Sequence, residues 1–152
     1  MPRNIQKQKG MEDSKPQTAN PASPADTTPK VTGIGGIFFF LDDPKGTKEW
    51  YAKHLGLQLN DWGSVSFESR ALDRPDEIES TQWCPFKRGD EYFAPSKKDF
   101  MVNYRVQNIE GLVANLKDAG VQVLGDIATY DYGKFAHIMD VEGNKIELWE
   151  PA

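Results

Sequence analysis

The chain has 152 residues with 38% hydrophobic content, which is enough for one domain with one sizeable core. The formal net charge is −5, and residues 31–152 alone carry −7. This acidic balance argues against nucleic acid as a partner, because phosphate backbones require a basic surface. The longest apolar run, residues 34–41, is far shorter than the ~20 residues that cross a bilayer, so we expect no membrane partner. The single cysteine, Cys84, excludes an internal disulfide and predicts a reducing, cytoplasmic location.

Residues 1–30 differ in composition from the rest of the chain. They are rich in Pro, Lys, Gln, Thr and Ser and contain no aromatic residue. Such a segment buries too little apolar surface to offset the conformational entropy lost on ordering. We therefore predict a disordered tail over residues 1–30 and one folded domain over residues 31–152.

The first structural unit begins with an aromatic and β-branched run, residues 35–41, which predicts a strand covered on both faces. Asp43 followed by Pro44 is typical of a helix start, with a carboxylate N-cap and proline in the first turn. Gly56 then ends the helix as a left-handed C-cap. Further strands are predicted at residues 57–59, 65–67 and 81–86.

The same order of elements recurs in the second half. A strand at residues 100–106 leads to a helix capped by Asn108, and Gly120 ends that helix. Strands are predicted after it at residues 121–123, 134–140 and 145–150. Residues 56–59 match residues 120–123 at an offset of 64, which indicates an internal repeat. The sequence therefore predicts an α+β fold of two tandem βαβββ modules, about 31–86 and 100–151, whose curved antiparallel sheets enclose a cleft.

The closing stretch, residues 132–151 (YGKFAHIMDVEGNKIELWEP), contains a Gly-Asn-x-Ile-Glu-Leu pattern. In this stretch, and in residues 100–106 and 33–55, the chain resembles the vicinal oxygen chelate superfamily. That superfamily includes glyoxalase I, bleomycin-resistance and extradiol dioxygenase proteins. The resemblance covers residues 31–151 and implies the glyoxalase/bleomycin resistance/dioxygenase-like fold with a small molecule as partner. Relatives of this type often dimerise, so the resemblance also implies a homodimer.

The resemblance further implies a divalent metal held by the first and last strands of each module. Glu147 matches the glutamate that the last strand of the second module usually provides. The first-strand positions fall on Gly36 and Met101. Glycine offers no ligand, and a thioether is a poor match for a hard divalent cation. The sequence therefore assigns only Glu147 as a metal ligand. Catalytic metals generally need about three protein ligands.

Glu147 and His137 are the candidate catalytic residues. Strand alternation places Glu147 in the cleft, where it either forms an ion pair with Arg105 or Lys145 or serves a ligand. The position of His137 depends on hairpin register. With a loop over residues 140–144, it faces Glu147 and could act as a general base or metal ligand; with a loop one residue shorter, it faces the helix.

The cleft wall is predicted to be aromatic and to suit a flat or apolar ligand. The predicted ligand-binding residues are Phe38, Phe40, Trp83, Met101, Asn103, Arg105 and Trp149. The loop over residues 87–98 contains Tyr92 and Phe93. It is either solvated or held by these aromatic rings across the mouth of the cleft.

Two functions from different classes follow. The first is a protein that binds an aromatic or hydrophobic molecule without turnover, as bleomycin-resistance relatives do; Gly36 and Met101 in the metal positions favour it. The second is a lyase or dioxygenase using Glu147 and His137, with a metal completed by water or as a metal-free acid–base pair. A weaker third hypothesis is a scaffold domain whose basic tail contacts a partner.

Overall fold

The computed structural model describes residues 25–152 and contains seven strands and two α-helices. In the first half lie β1 (Lys30–Leu41), α1 (Pro44–Leu55), β2 (Val65–Arg70) and β3 (Ile78–Lys87). A short 3-10 turn, Glu91–Phe93, lies in the connection between the halves. In the second half lie β4 (Phe100–Gln107), α2 (Ile109–Asp118), β5 (Val123–Tyr130), β6 (Gly133–Met139) and β7 (Lys145–Pro151).

All seven strands belong to one mixed sheet in the order β2-β3-β1-β4-β7-β6-β5. The two modules meet where β1 pairs antiparallel with β4. Within each module the first strand pairs in parallel with the last, β1 with β3 and β4 with β7. The repeat and the α+β class predicted from the sequence are therefore confirmed, but the modules join into one continuous sheet.

The first module lacks one predicted strand. Residues 56–60 are not in a strand, and the chain there enters a turn in which the Asn60 side chain accepts hydrogen bonds from the amides of Trp62 and Ser64 at 3.0 Å. The prediction of a strand at residues 57–59 is wrong. Three alternating residues are a weak signal, and a strand also needs a neighbour for its backbone groups. The first module is therefore βαββ, while the second is βαβββ.

Both helices begin as predicted. Asp43 accepts a hydrogen bond from the Gly46 amide at 3.1 Å, and Asn108 accepts one from the Gly111 amide at 3.0 Å. These side chains satisfy amides that a helix start leaves without an internal partner. Gly56 ends α1 with a φ of 69°, the left-handed conformation that glycine adopts without strain.

The sheet has two different faces. We call the face covered by α1 and α2 the helix face and the opposite one the site face. The main core lies on the helix face of the second module; its buried members are Val106, Ile109, Val113, Ala136, Ile138 and Leu148. A smaller apolar cluster on the site face contains Phe38, Phe93 and Met101. The buried polar side chains lie on the site face of the second module; they are Asn103, Arg105, Lys145 and Glu147.

The described part begins with residues 25–29, just before β1. The carbonyl oxygens of Thr27 and Thr28 accept hydrogen bonds from Asn108 and Gln107 at 2.9 Å, so the chain makes contacts a few residues before the predicted boundary at residue 30. The rest of the predicted tail, residues 1–24, lies outside the described residues. Neither helix in the described part has the length and apolar character needed to cross a membrane.

Candidate functional site

Glu147 lies at the centre of a polar cluster on the site face. Its carboxylate accepts a hydrogen bond from Asn103 Nδ2 at 2.7 Å through Oε1 and one from the Tyr92 hydroxyl through Oε2. His137 Nε2 lies 2.7 Å from the same Oε2. Strand register explains the cluster, because Glu147 stands directly opposite Asn103 on β4 and His137 on β6. Both oxygens of the buried carboxylate therefore have polar partners.

The register resolves the two alternatives for His137. The loop spans residues 140–144, as in the first alternative, and His137 faces Glu147. The His137 side chain is 21% exposed, whereas that of Glu147 is 3% exposed. Since Nε2 contacts the carboxylate, Nδ1 is left without a hydrogen-bond partner among the described residues. A buried acid that orients a partly accessible imidazole is the arrangement expected of a general base.

Tyr92 completes the cluster from the loop that lies over the site face. It lies in the 3-10 turn between β3 and β4, where Asp90 accepts a hydrogen bond from its amide at 2.8 Å. Burial and the neighbouring Glu147 raise the pKa of Tyr92, so its hydroxyl stays protonated and donates. Lys145 Nζ donates to the Tyr92 carbonyl oxygen at 2.6 Å, and burial lowers the pKa of Lys145. The sequence placed Tyr92 near the cleft mouth without indicating either contact.

The apolar half of the site face is covered by the protein's own chain. Phe93 is 1% exposed, and its ring stacks on Phe40 with centroids 4.2 Å apart. Phe38 and Met101 pack in the same cluster, and Met101 is fully buried. The predicted ligand-binding residues Phe38, Phe40 and Met101 therefore lie on the expected face, but they contact Phe93 instead of an open cleft.

Trp83 lies on the opposite side of the sheet. Its ring packs against Tyr51 of α1 at a centroid distance of 5.0 Å and against Phe39 at 5.2 Å. The prediction that Trp83 lines the cleft is wrong. Side chains alternate along β3, and its neighbour Cys84 takes the site-face position next to Phe38.

Glycines on β1 make room for the side chains of the second module. The β1–β4 register shifts between Ile34 and Gly36, which leaves both Gly35 and Gly36 directed at the site face. A Cβ on Gly35 would overlap Asn103 Oδ1 and lie 2.9 Å from Trp149. The buried Asn103 Oδ1 has no conventional hydrogen-bond partner within the described residues and instead lies against this glycine. Asn103 can therefore reach Glu147 only because residue 35 has no side chain.

Arg105 does not pair with Glu147. Its guanidinium lies 3.0 Å from a carboxylate oxygen of Glu79 and donates to the carbonyl oxygens of Ile34 and Ser80 at 3.2 and 2.7 Å. These contacts join β1 to β3 at the end where the two strands are no longer paired. Arg105 is thus a buried link between the modules, and the predicted alternative of an ion pair with Glu147 is wrong.

A group of aromatic side chains extends the site face of the second module. Trp149 and Phe135 are parallel, with centroids 6.2 Å apart. Tyr130 and Tyr132 stack at 5.2 Å, and both contact Phe135 edge-on. Of these only Trp149 was predicted from the sequence. Alternation along β6 from His137 would have placed Phe135 beside it.

A hollow lies between the modules, next to Trp149. Its volume is about 520 Å³, which is within the usual range for small-molecule sites. Both modules line it, through Thr32, Arg74, Glu79 and Ser80 on one side and Arg105 and Trp149 on the other. The lining combines one large ring with charged and hydroxyl groups. The cleft predicted between the modules is therefore present, but its open part lies beyond Glu147.

The residues around Glu147 do not fit the metal that the resemblance implies. Residues 25–152 contain no group of three or more His, Cys, Asp or Glu side chains placed to hold an ion. His137 and Glu147 offer two ligands, and the shared Oε2 is already bonded to Tyr92. Three protein ligands are the usual minimum for a catalytic metal. We therefore assign no step to a metal.

The fold has clear counterparts among solved structures. A variant of methylmalonyl-CoA epimerase from Streptomyces coelicolor, in complex with 2-nitronate-propionyl-CoA, is similar with a TM-score of 0.58 and 18% identity over 81% of this chain and 99% of that chain. The epimerase from Mycobacterium tuberculosis gives a TM-score of 0.53 and 23% identity over 80% of this chain and 89% of that chain. A glyoxalase/bleomycin resistance protein/dioxygenase superfamily member from Vibrio splendidus 12B01 gives 0.51 and 14%, over 81% and 99%.

These likenesses define the class of fold. The chain has the vicinal oxygen chelate fold, as the sequence predicted. No protein-family model matches the sequence, and no curated protein is significantly similar to it. Because the identities to the solved structures are low, function must be argued from the residues of this chain.

Proposed function

We propose that this protein binds a small molecule with a flat aromatic part between its two modules, against Trp149. The main support is the position of Trp149, which borders the 520 Å³ hollow that both modules line. The ring of Phe135 lies parallel to that of Trp149. A ring stacked on Trp149 would gain aromatic contact in addition to apolar burial. The surrounding Arg74, Glu79 and Ser80 favour a ligand that also carries polar groups.

The test uses 8-anilinonaphthalene-1-sulfonate, whose fluorescence rises in an apolar environment, as an aromatic probe. We expect Trp149→Leu to weaken its binding about ten-fold, which corresponds to about 1.4 kcal/mol. Trp62→Leu is the matched control, because Trp62 is 85% exposed in the loop after α1. Equal affinities of both variants and the parent protein would contradict the proposal, provided that urea unfolding shows Trp149→Leu to be folded.

A second candidate function, proton transfer by His137, is favoured by the 2.7 Å contact between His137 Nε2 and Glu147 Oε2. Glu147 would hold the ring in one orientation, while Nδ1 takes a proton from the ligand. Two similar structures are epimerases of methylmalonyl-CoA. Epimerisation requires removal and return of a proton at carbon, which needs a positioned base.

Deuterium exchange separates this candidate from simple binding. Methylmalonyl-CoA in D₂O should gain deuterium at its acidic carbon in the presence of the protein, as read by NMR. His137→Gln should abolish the exchange, and His54→Gln, in the last turn of α1, should not. Exchange at the same rate in His137→Gln would exclude His137 as the base.

The cytoplasmic location and the homodimer remain proposals from the sequence. The single Cys84 supports the first, and the resemblance to dimer-forming relatives supports the second. Light scattering coupled to size-exclusion chromatography tests the dimer: a mass of about 17 kDa instead of twice that value would contradict it.

A further inference from the structure

The loop between the modules occupies the site face as a bound ligand would. Residues 88–99 leave β3, cross the face and enter β4, and their two neighbouring aromatic residues point in different directions into the site. Phe93 enters the apolar half beside Phe40, and Tyr92 reaches Glu147 in the polar half. One dipeptide thus bridges both halves.

The polar half recognises Tyr92 through several independent contacts. The phenol hydroxyl donates to Glu147, which two further groups hold in place. The phenol ring lies parallel to Phe86 at 5.5 Å and edge-on to His137 at 5.4 Å. An acceptor, a stacking ring and a perpendicular ring together define a subsite for a neutral phenol. Burial, which raises the pKa of Tyr92, keeps the phenol protonated.

Backbone hydrogen bonds at Arg88 and Asp99 tie both ends of the loop to β1, and few other contacts hold the segment between them. Ser96 Oγ donates to the Gly143 carbonyl oxygen at 2.8 Å, and Lys145 donates to the Tyr92 carbonyl oxygen. Arg88 forms ion pairs with Asp42 and Asp99, but all three side chains are about half or more exposed, and such pairs contribute little. Tyr92 itself remains 38% exposed. The aromatic side chains are therefore the main attachment of the loop to the site face.

We propose that Glu147, His137 and Phe86 form a subsite for a phenolic ring, and that Tyr92 occupies it until a phenolic ligand displaces it. The inference rests on the proposed function, because both sites share one face, and it adds a hydroxyl-bearing aromatic group to the ligand. An internal occupant lowers the apparent affinity for an external ligand in proportion to the fraction of molecules with an open loop. Weakening the loop should therefore tighten ligand binding.

The probe is 4-methylphenol, which is the tyrosine side chain as a free molecule, and toluene is its partner without the hydroxyl. By NMR titration, Tyr92→Ala should bind 4-methylphenol about ten-fold more tightly than the parent protein does. It should also prefer 4-methylphenol to toluene about ten-fold, because a hydrogen bond to a buried carboxylate is lost with toluene. Trp62→Leu, in the exposed loop after α1, should show no gain. An equal affinity of Tyr92→Ala for the two probes would overturn the phenol subsite.

Displacement is tested in chains that keep Tyr92. Saturating 4-methylphenol should accelerate amide hydrogen exchange in residues 88–98 of the parent protein, and Ser96→Ala should bind the probe several-fold more tightly. Unchanged exchange together with unchanged affinity of Ser96→Ala would show that Tyr92 is a fixed structural element and would overturn displacement, even if Tyr92→Ala were unfolded. Trp149→Leu should retain 4-methylphenol binding. The two proposals are therefore tested separately: 8-anilinonaphthalene-1-sulfonate reports on the site at Trp149, and 4-methylphenol reports on the phenol subsite.

Discussion

The two modules share an order of elements but differ in where they bury side chains. In the second module α2 packs on the sheet through Ile109, which is fully buried, and Val113, which is 5% exposed. In the first module α1 has no buried residue, and Leu55 is 57% exposed. The second module therefore holds most of the helix-face core, while the first has a thin helix layer.

On the site face the difference takes another form. The second module presents Asn103, Glu147 and His137 in one row across three strands. The first presents phenylalanines, which Phe93 covers. The comparison teaches that a repeated unit can divide its tasks: one copy carries the packed core together with the polar site, and the other supplies an apolar wall.

The largest expected effect tests the unequal helices. Ile109→Ala should lower the free energy of unfolding by about 2–5 kcal/mol, since it leaves a cavity in a well-packed core. Leu55→Ala at the exposed end of α1 should change it by about 0.5 kcal/mol or less. Urea unfolding with unchanged m-values would measure both. Similar losses in the two variants would contradict the unequal packing of α1 and α2.

The next effect concerns the polar row. Glu147→Gln keeps the shape of the side chain but removes the carboxylate that Tyr92, Asn103 and His137 contact. We therefore expect the free energy of unfolding, measured by thermal unfolding, to fall by about 1–3 kcal/mol. Glu142→Gln, on the exposed closing turn, is the control and should be neutral. A neutral Glu147→Gln would mean that the row does not stabilise the fold.

A third prediction concerns the boundary where the two modules meet. Gly35→Ala should lower the free energy of unfolding by about 1–3 kcal/mol, because its Cβ would overlap Asn103 and press on Trp149. Gly36→Ala should cost less, since its Cβ would make tight contacts with Phe38 at 3.0 Å and Gln82 at 3.1 Å, whereas a Cβ on Gly35 would lie only 2.1 Å from Asn103 Oδ1. The denaturant midpoints of the two variants measure the difference. A lower midpoint for Gly36→Ala than for Gly35→Ala would contradict the packing described at this boundary.

The smallest effect lies in the closing turn of the second module. The Asn144 side chain and the amides of Asn144 and Glu142 donate to Asp140 and lower its pKa below 3.8. Because the pKa of Asp140 is lower in the folded protein than in the unfolded chain, its carboxylate stabilises the fold at pH values above the unfolded-state pKa. This stabilisation is lost as the pH falls through the folded-state pKa. The difference in melting temperature between the parent protein and Asp140→Asn should therefore be constant from pH 7 to about 4 and shrink below it. A pH-independent difference would contradict this.

Local patterns predicted much of the fold. Asp43 and Asn108 cap the helices as expected, and the repeat and the α+β class are confirmed. Glu147 lies on the site face, where it is buried against Tyr92. Residues 57–59 were misassigned because three residues carry little periodic signal. Trp83 was placed on the wrong face of the sheet, where a shift of one residue in the assumed strand alternation reverses the direction of a side chain. A tryptophan can be accommodated on either face, so its residue type did not correct the error.

The candidate site was less accessible to prediction than the fold. Glu147 was identified from strand alternation and from the family resemblance. The orientation of His137 was left open between two hairpin registers, and the structure shows the one in which it faces Glu147. The contacts of Tyr92 with Glu147 and with Lys145 were not predicted, since they join a loop to a strand more than 50 residues away. Sequence spacing carries no information on how an irregular loop crosses a sheet.

By itself the sequence determined the duplicated unit, the helix ends and the alternation that turns Glu147 inward, because each depends on interactions between residues close in the chain or on the period of a strand. Three features emerge only from the folded chain: Phe93 fills the apolar half, Tyr92 contacts Glu147, and the open hollow lies beside Trp149. Those outcomes depend on which distant surfaces pack together, and packing is settled by the shape of the whole chain.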